Sequence, residues 1–229
     1  MNIKIFKNTL DKALRQGYAF APQLKFKPTS FELNQLLSGK KKTHIQDSQL
    51  HLKYLKKIEK FILPELIKKV PKHLKKNVRK NDLYNITKIV RPYEISESDR
   101  SHFDSHLFTL ITPINIPKSS SKVNRGQLVV FQKLRKEPMN ELFNLLGKLY
   151  YFIFYSSPQK LQKLFDTKNY IELDFYDMVP VIFLGRQCFH YSMPFESNNN
   201  ECHILLITHF FDPSPFWSVG NVNRYIRNR

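Results

Sequence analysis

Apolar positions in the first third of the chain recur at helical spacing, first at Ile5, Leu10 and Leu14. They recur again at Leu52, Leu55, Ile58, Phe61 and Ile62, with lysines on the opposite face, as in an amphipathic helix. A loop through Pro22 and Pro28 separates the two, and Pro64 and Pro71 are expected to limit the second helix, because proline lacks the N–H that the helical ladder needs. From Tyr84 onward the pattern changes to short runs of β-branched and aromatic residues punctuated by Pro, Gly, Ser and Asn. These predict strands at Asn85–Val90, His102–Ile111, Gln127–Gln132, Val179–Leu184, Phe189–Met193 and His203–Phe211. Between the third and fourth lie two helical stretches, Met139–Tyr155 and Pro158–Phe165, the latter with Ser157 as N-cap and Pro158 at the first helical position.

Many short strands with helices before and between them predict a mainly β fold with α elements. The expected architecture is a double-stranded β-helix (jelly roll) buttressed by N-terminal and inserted helices. Residues 1–83 are expected to form a basic helical region packing on a core of residues 84–229, with a helical insertion at about 139–166. At 229 residues the chain suits one domain. Its 41% hydrophobic and 14% aromatic content excludes wholesale disorder. No run of 18 apolar residues occurs and Met1–Gln16 is charged throughout, so no transmembrane segment is expected and the location is expected to be cytoplasmic. Two cysteines, Cys188 and Cys202, are too few for a disulfide framework.

The formal net charge of +18 is concentrated, with fourteen Lys or Arg between Lys40 and Lys80 against Asp47, Glu59 and Glu65. Such a surface attracts an anionic partner, whether nucleic acid, a phosphorylated substrate or an anionic lipid face. The blander reading is a solvated lysine face, since aromatic side chains are not interleaved with the charges as single-strand binders require.

Ser101-His102-Phe103-Asp104-Ser105-His106 is the most informative segment. On a strand, residues two apart share a face, so His102 and Asp104 would present an imidazole and a carboxylate to one ion. His190, after the apolar run ending at Leu184 and the turn-like Gly185-Arg186, is the best third ligand. Two histidines and one carboxylate on one side of a six-coordinate metal leave three positions open, as iron(II) oxygen chemistry needs. An isolated His-x-Asp is a weak signal by itself.

Its company strengthens it. His102-Phe-Asp through Pro113, Arg125-Gly-Gln through Phe131, Val181 through His190 and His203 through Phe211 occur in an order that resembles the 2-oxoglutarate and iron(II)-dependent dioxygenases, nearest to the prolyl-hydroxylase-like branch. The resemblance spans roughly Tyr84 to Asp212. It implies that His102, Asp104 and His190 bind iron (Fe2+), that 2-oxoglutarate is the co-substrate, and that a substrate is hydroxylated as 2-oxoglutarate and O2 become succinate and CO2. In that family an arginine or lysine after the second histidine holds the distal carboxylate of 2-oxoglutarate. Here His203 occupies the place.

Either another cation, such as Arg186 or a basic residue of Gln132–Lys136, supplies the anchor, or use of 2-oxoglutarate is weakened or lost. Arg91, Tyr93 and Thr109 are further candidate contacts, with core or edge packing as their alternative role. His106 is a candidate to support the site, while His209, Cys188, Cys202 and Trp217 read as packing residues and Arg224–Arg229 as a solvated end. Two other readings stay open: a nucleic-acid-associated basic protein on a jelly-roll scaffold, and a metal-binding relative that has abandoned 2-oxoglutarate.

Overall fold

The computed structural model describes residues 3–38, 43–79, 83–92, 101–118, 124–155, 158–197 and 201–214. Tyr93, Trp217 and Arg224–Arg229 lie outside them. Among the described residues, two antiparallel sheets and five α-helices make a mixed α/β architecture.

Helix α1 (Ile3–Gln16) buries Phe6, Leu10 and Ala13 on one face. It leads into the short strand β1 (Tyr18–Phe20), then α2 (Ser30–Leu37), β2 (His44–Gln46) and α3 (Gln49–Lys68). Thr29 and Glu32 close a reciprocal capping box at the start of α2, which satisfies two otherwise orphaned N–H groups. The third helix runs through Pro64 to Lys68 instead of ending at the proline. Its buried stripe of Tyr54, Leu55, Ile58, Ile62 and Leu66 continues past Pro64, and that packing outweighs the roughly 3 kcal/mol an internal proline costs. Lys53, Lys56, Lys57 and Lys60 are on the exposed side.

The strands that follow are β3 (Leu83–Val90), β4 (Phe108–Asn115), β5 (Leu128–Phe131), β6 (Tyr170–Leu173), β7 (Val181–Leu184), β8 (Phe189–Ser192) and β9 (His203–Phe210). Helices α4 (Glu141–Tyr155) and α5 (Pro158–Thr167) separate β5 from β6. The larger sheet has the order β1-β7-β4-β9-β3-β2 and the smaller β6-β5-β8. Sequence patterning had not indicated β1, β2 or β6.

The segment expected to run as one strand from His102 to Ile111 is divided. His102 makes an isolated antiparallel bridge with His190, the chain bends through residues 105–107, and regular pairing begins at Phe108. The bend is fixed by Asp104 N–H donating to the Gly185 carbonyl at 2.9 Å and Leu107 N–H donating to that of Phe211 at 3.0 Å.

Alternation gives the larger sheet two distinct faces. Thr87, Thr112, Leu206 and Thr208 point to the side covered by α3, as shown by His51 Nε2 to Thr208 Oγ1 at 2.7 Å, Ser48 Oγ to Thr87 Oγ1 at 2.6 Å and Thr112 Oγ1 donating to Tyr54 Oη at 2.9 Å. One apolar cluster spans this layer, from Phe6 and Leu10 through Ile62 and Leu66 to Leu206 and Phe210. Lys88, Thr109, His203 and His209 occupy the opposite face, toward the smaller sheet. A second cluster of Phe103, Val129, Phe131, Leu161, Leu164, Phe189 and Tyr191 joins the smaller sheet to α5.

Candidate metal centre

The His102–His190 bridge is closed by two backbone hydrogen bonds of 3.0 Å, one in each direction. It brings the two imidazole rings to 4.5 Å between centroids. Asp104 is held beside them where its N–H meets the Gly185 carbonyl. Gly185 is required by closeness: a Cβ there would lie 2.7 Å from the His106 carbonyl oxygen and 2.8 Å from Asp104 Cβ. Asp104 Oδ1 is 3.6 Å from His102 Nε2 and 3.7 Å from His190 Nε2. One ligand atom from each of His102, Asp104 and His190 lies within 4.8 Å of the others, so one ion can reach two imidazole nitrogens and a carboxylate oxygen together.

The supporting contacts set the chemistry of these groups. His190 Nδ1 is 3.1 Å from the Cys188 carbonyl; a carbonyl only accepts, so Nδ1 carries the proton and Nε2 offers its lone pair to the cluster. Burial lowers the His190 pKa to about 4 against the pull of Asp104, which keeps the ring neutral. Thr109 Oγ1 donates to Asp104 Oδ2 at 2.5 Å and lies 3.0 Å from His209 Nδ1. The hydroxyl has one proton to give, so His209 Nδ1–H donates to it and a relay runs from imidazole through hydroxyl to carboxylate. Burial works to raise the Asp104 carboxyl; the neighbouring His190, His209 and His102 imidazoles overcome it and hold the group well below the usual carboxylate range. Asp104 is thus an anion with Oδ2 fixed and Oδ1 facing the histidines. His102, with its side chain 56% exposed, is the member of the cluster open to solvent.

The fold is similar to that of solved structures of low identity. A prolyl-4-hydroxylase from Pseudomonas putida superposes with a TM-score of 0.50 at 11% identity, over 89% of this chain and 97% of that one. The fold is that of the prolyl-4-hydroxylases. A prolyl 4-hydroxylase from Phytophthora capsici matches the prolyl-4-hydroxylase fold here with a TM-score of 0.50 at 11% identity, covering 96% of this chain and 70% of that one. The non-heme alpha ketoglutarate dependent epimerase SnoN from nogalamycin biosynthesis gives 0.53 at 10% identity, over 96% and 89%. No family model and no curated protein matches the sequence.

Within the prolyl-4-hydroxylase fold, the other residues singled out from sequence fall in different places. His203 is 1% exposed on the inner face of β9, and its Nε2 has no hydrogen-bond partner among the described residues. Burial, reinforced by the charge of Lys88, pushes its pKa down to about 3, so it is a neutral imidazole. Arg186 is also 1% exposed, but its guanidinium pairs with Glu137 at 2.7 Å and Glu141 at 3.3 Å, and one nitrogen donates to the Ser105 carbonyl. Arg135, from the Gln132–Lys136 segment, donates to the Arg186 carbonyl and to Asn144 and lies over the Phe103 ring at 4.0 Å. Thr109 serves Asp104, as described.

Sequence reading passed over Lys88. It is 8% exposed on β3, its Nζ donates to Ser192 Oγ at 3.1 Å across the gap between the sheets, and its charge reaches His203. The available signal was a lysine on the same face of the strand as Ile86 and Val90. Lys148 was passed over as well: its Nζ donates to Ser105 Oγ at 2.9 Å, and burial lowers its pKa to about 8 despite the nearby Asp104 and Glu141 carboxylates.

Proposed function

We propose that this protein is a non-heme iron(II) and 2-oxoglutarate-dependent oxygenase that hydroxylates an organic substrate. The observation that carries the reading is the His102, Asp104 and His190 cluster, with one carboxylate oxygen and two imidazole nitrogens converging at the mouth between two antiparallel sheets. We read those sheets as the two halves of a double-stranded β-helix, and residues 1–83 as a basic helical region buttressing it.

His102, Asp104 and His190 would hold the iron, and 2-oxoglutarate with O2 would supply the oxidising power as succinate and CO2 form. The protein's own work is positioning. His190 presents Nε2 because its Nδ1–H donates to the Cys188 carbonyl; Asp104 stays ionised and oriented because Thr109, backed by His209, holds Oδ2. Lys88 is the cation we assign to the distal carboxylate of 2-oxoglutarate, with Ser192 as a neighbouring hydroxyl. A buried ammonium is a strong partner for a carboxylate, whereas Arg186 is already paired with two glutamates and His203 is neutral. Phe183, edge-on to His190 at 4.9 Å, walls the site from water.

The neutral His203 favours one alternative, a metal protein that no longer uses 2-oxoglutarate. Anaerobic titration with iron(II) and 2-oxoglutarate separates the two. A visible charge-transfer band that is lost in Asp104→Ala is expected for the oxygenase; iron binding without the band would leave only the alternative.

A further inference from the structure

Helix α4 is turned inside out. At ~100° per residue, nine of its fifteen residues, bounded by Phe152 on one side and Phe154 on the other, share an arc of roughly 200°; all nine are large hydrophobics between 46% and 64% exposed. The opposite arc carries Asn144, Lys148, Tyr151 and Tyr155 inward. Asn144 Oδ1 accepts from Arg135, Lys148 donates to Ser105, Tyr151 Oη donates to the Leu134 carbonyl and the Tyr155 carbonyl accepts from Ser101. Polar bonds therefore fix the helix to the body and aim its apolar face outward.

The exposed arc covers on the order of 1,000 Å², beyond the few hundred Å² a free monomer shows in one patch, so something covers it. We infer that α4 seats on an anionic lipid surface, its apolar face lying among the acyl chains. Two features select this occupant over a second copy of the chain. A helix partner covers a stripe ~100° wide and would leave about half of the ~200° arc in water, whereas lipid wraps a convex helix on all its free sides. Charge also decides: the chain carries +18, exposed Lys136 precedes the helix, exposed Lys163 lies on α5, and Lys160 reaches the Ile153 carbonyl at the helix end. These lysines would oppose one another across a twofold contact and would meet phosphates on an anionic membrane. No helix among the described residues is long and apolar enough to cross a membrane, so the association is interfacial.

Full-length protein is sedimented with vesicles of phosphatidylcholine alone and with about one-third phosphatidylserine. Binding at least ~10-fold stronger to the anionic vesicles is expected, weakening as salt rises. It should fall ~10-fold or more in the triple variant Leu146→Gln, Leu149→Gln, Phe152→Gln, whose fold is checked by circular dichroism. In a second measurement, Phe152→Trp should shift its emission to the blue with vesicles and be quenched by brominated lipid. Four results would overturn the inference: no binding to either vesicle, equal binding to both, an unquenched Trp, or a dimer by light scattering that the triple variant converts to monomer.

Discussion

The two faces of the six-stranded sheet are built from similar residues to opposite ends. On the α3 side, polar groups are few and meet in neutral hydrogen-bonded contacts, His51 with Thr208, Ser48 with Thr87 and Thr112 with Tyr54, inside a continuous apolar cluster. On the other side, Asp104 meets His190 and His209, and Lys88 reaches Ser192, two positions along β8 from His190. Neutral hydrogen-bonded pairs stabilise a fold at little risk, whereas buried charged groups favour binding at a cost in stability. One face therefore carries the fold and the other the chemistry, and changes on either should separate cleanly.

The largest separation is expected for Asp104→Ala. Iron(II) affinity, measured by anaerobic titration, should fall by more than the ~10- to 100-fold typical of outer-shell changes, with the urea midpoint little changed. Ile62→Ala, buried at 0% on the α3 side, should do the reverse: a loss of about 2–5 kcal/mol in urea unfolding and unaltered iron affinity per folded molecule. Lys88→Met is expected to weaken 2-oxoglutarate binding about 10- to 100-fold, the worth of one charged hydrogen bond, as read from the charge-transfer band with iron binding retained. Comparable loss with pyruvate, which lacks the distal carboxylate, would break the assignment of Lys88.

A separate pH dependence is expected from the α3 side. Burial lowers the His51 pKa to about 4 from its ordinary 6.5. The unfolded chain therefore binds the proton first, and stability present above pH 6.5 is lost as pH falls toward 4. The loss attributable to His51 should be about 2–3 kcal/mol, and His51→Gln should flatten that part of the urea-midpoint profile. An unchanged slope would mean that His51 protonates without disturbing its contact with Thr208.

Which of these features the sequence made legible follows from length and context. Strands such as Leu83–Val90 and His203–Phe210 are long enough to show β-branched enrichment, whereas β1 and β2 have three residues each, too few for a period to emerge, and in β6 Glu172 interrupts the apolar run that marks β5 and β7. His102, Asp104 and His190 were readable because their types and order are distinctive. Lys88 was not, because its meaning depends on which face of β3 looks at Ser192. The helix at α4 was readable, yet its orientation was not: a nearly all-apolar sequence leaves open which arc faces the body, and Lys148 and Tyr151 settle it through tertiary bonds. Pro64 misled for the same reason, since propensity cannot weigh the stripe that α3 buries.

The strand order β1-β7-β4-β9-β3-β2 sets a sequence of events in time. Strand β9, among the last described residues, lies between β3 and β4, pairing Leu83 with Phe210 on one side and Phe108 with Phe210 on the other. Until it arrives, β3 with β2 and β4 with β7 and β1 are separate ribbons with open inner edges. A nascent chain therefore keeps the larger sheet as two unfinished ribbons until residue 210 clears the ribosome. Closure then joins partners 89 to 127 residues apart in one step, a topology that folds slowly and exposes strand edges while it waits.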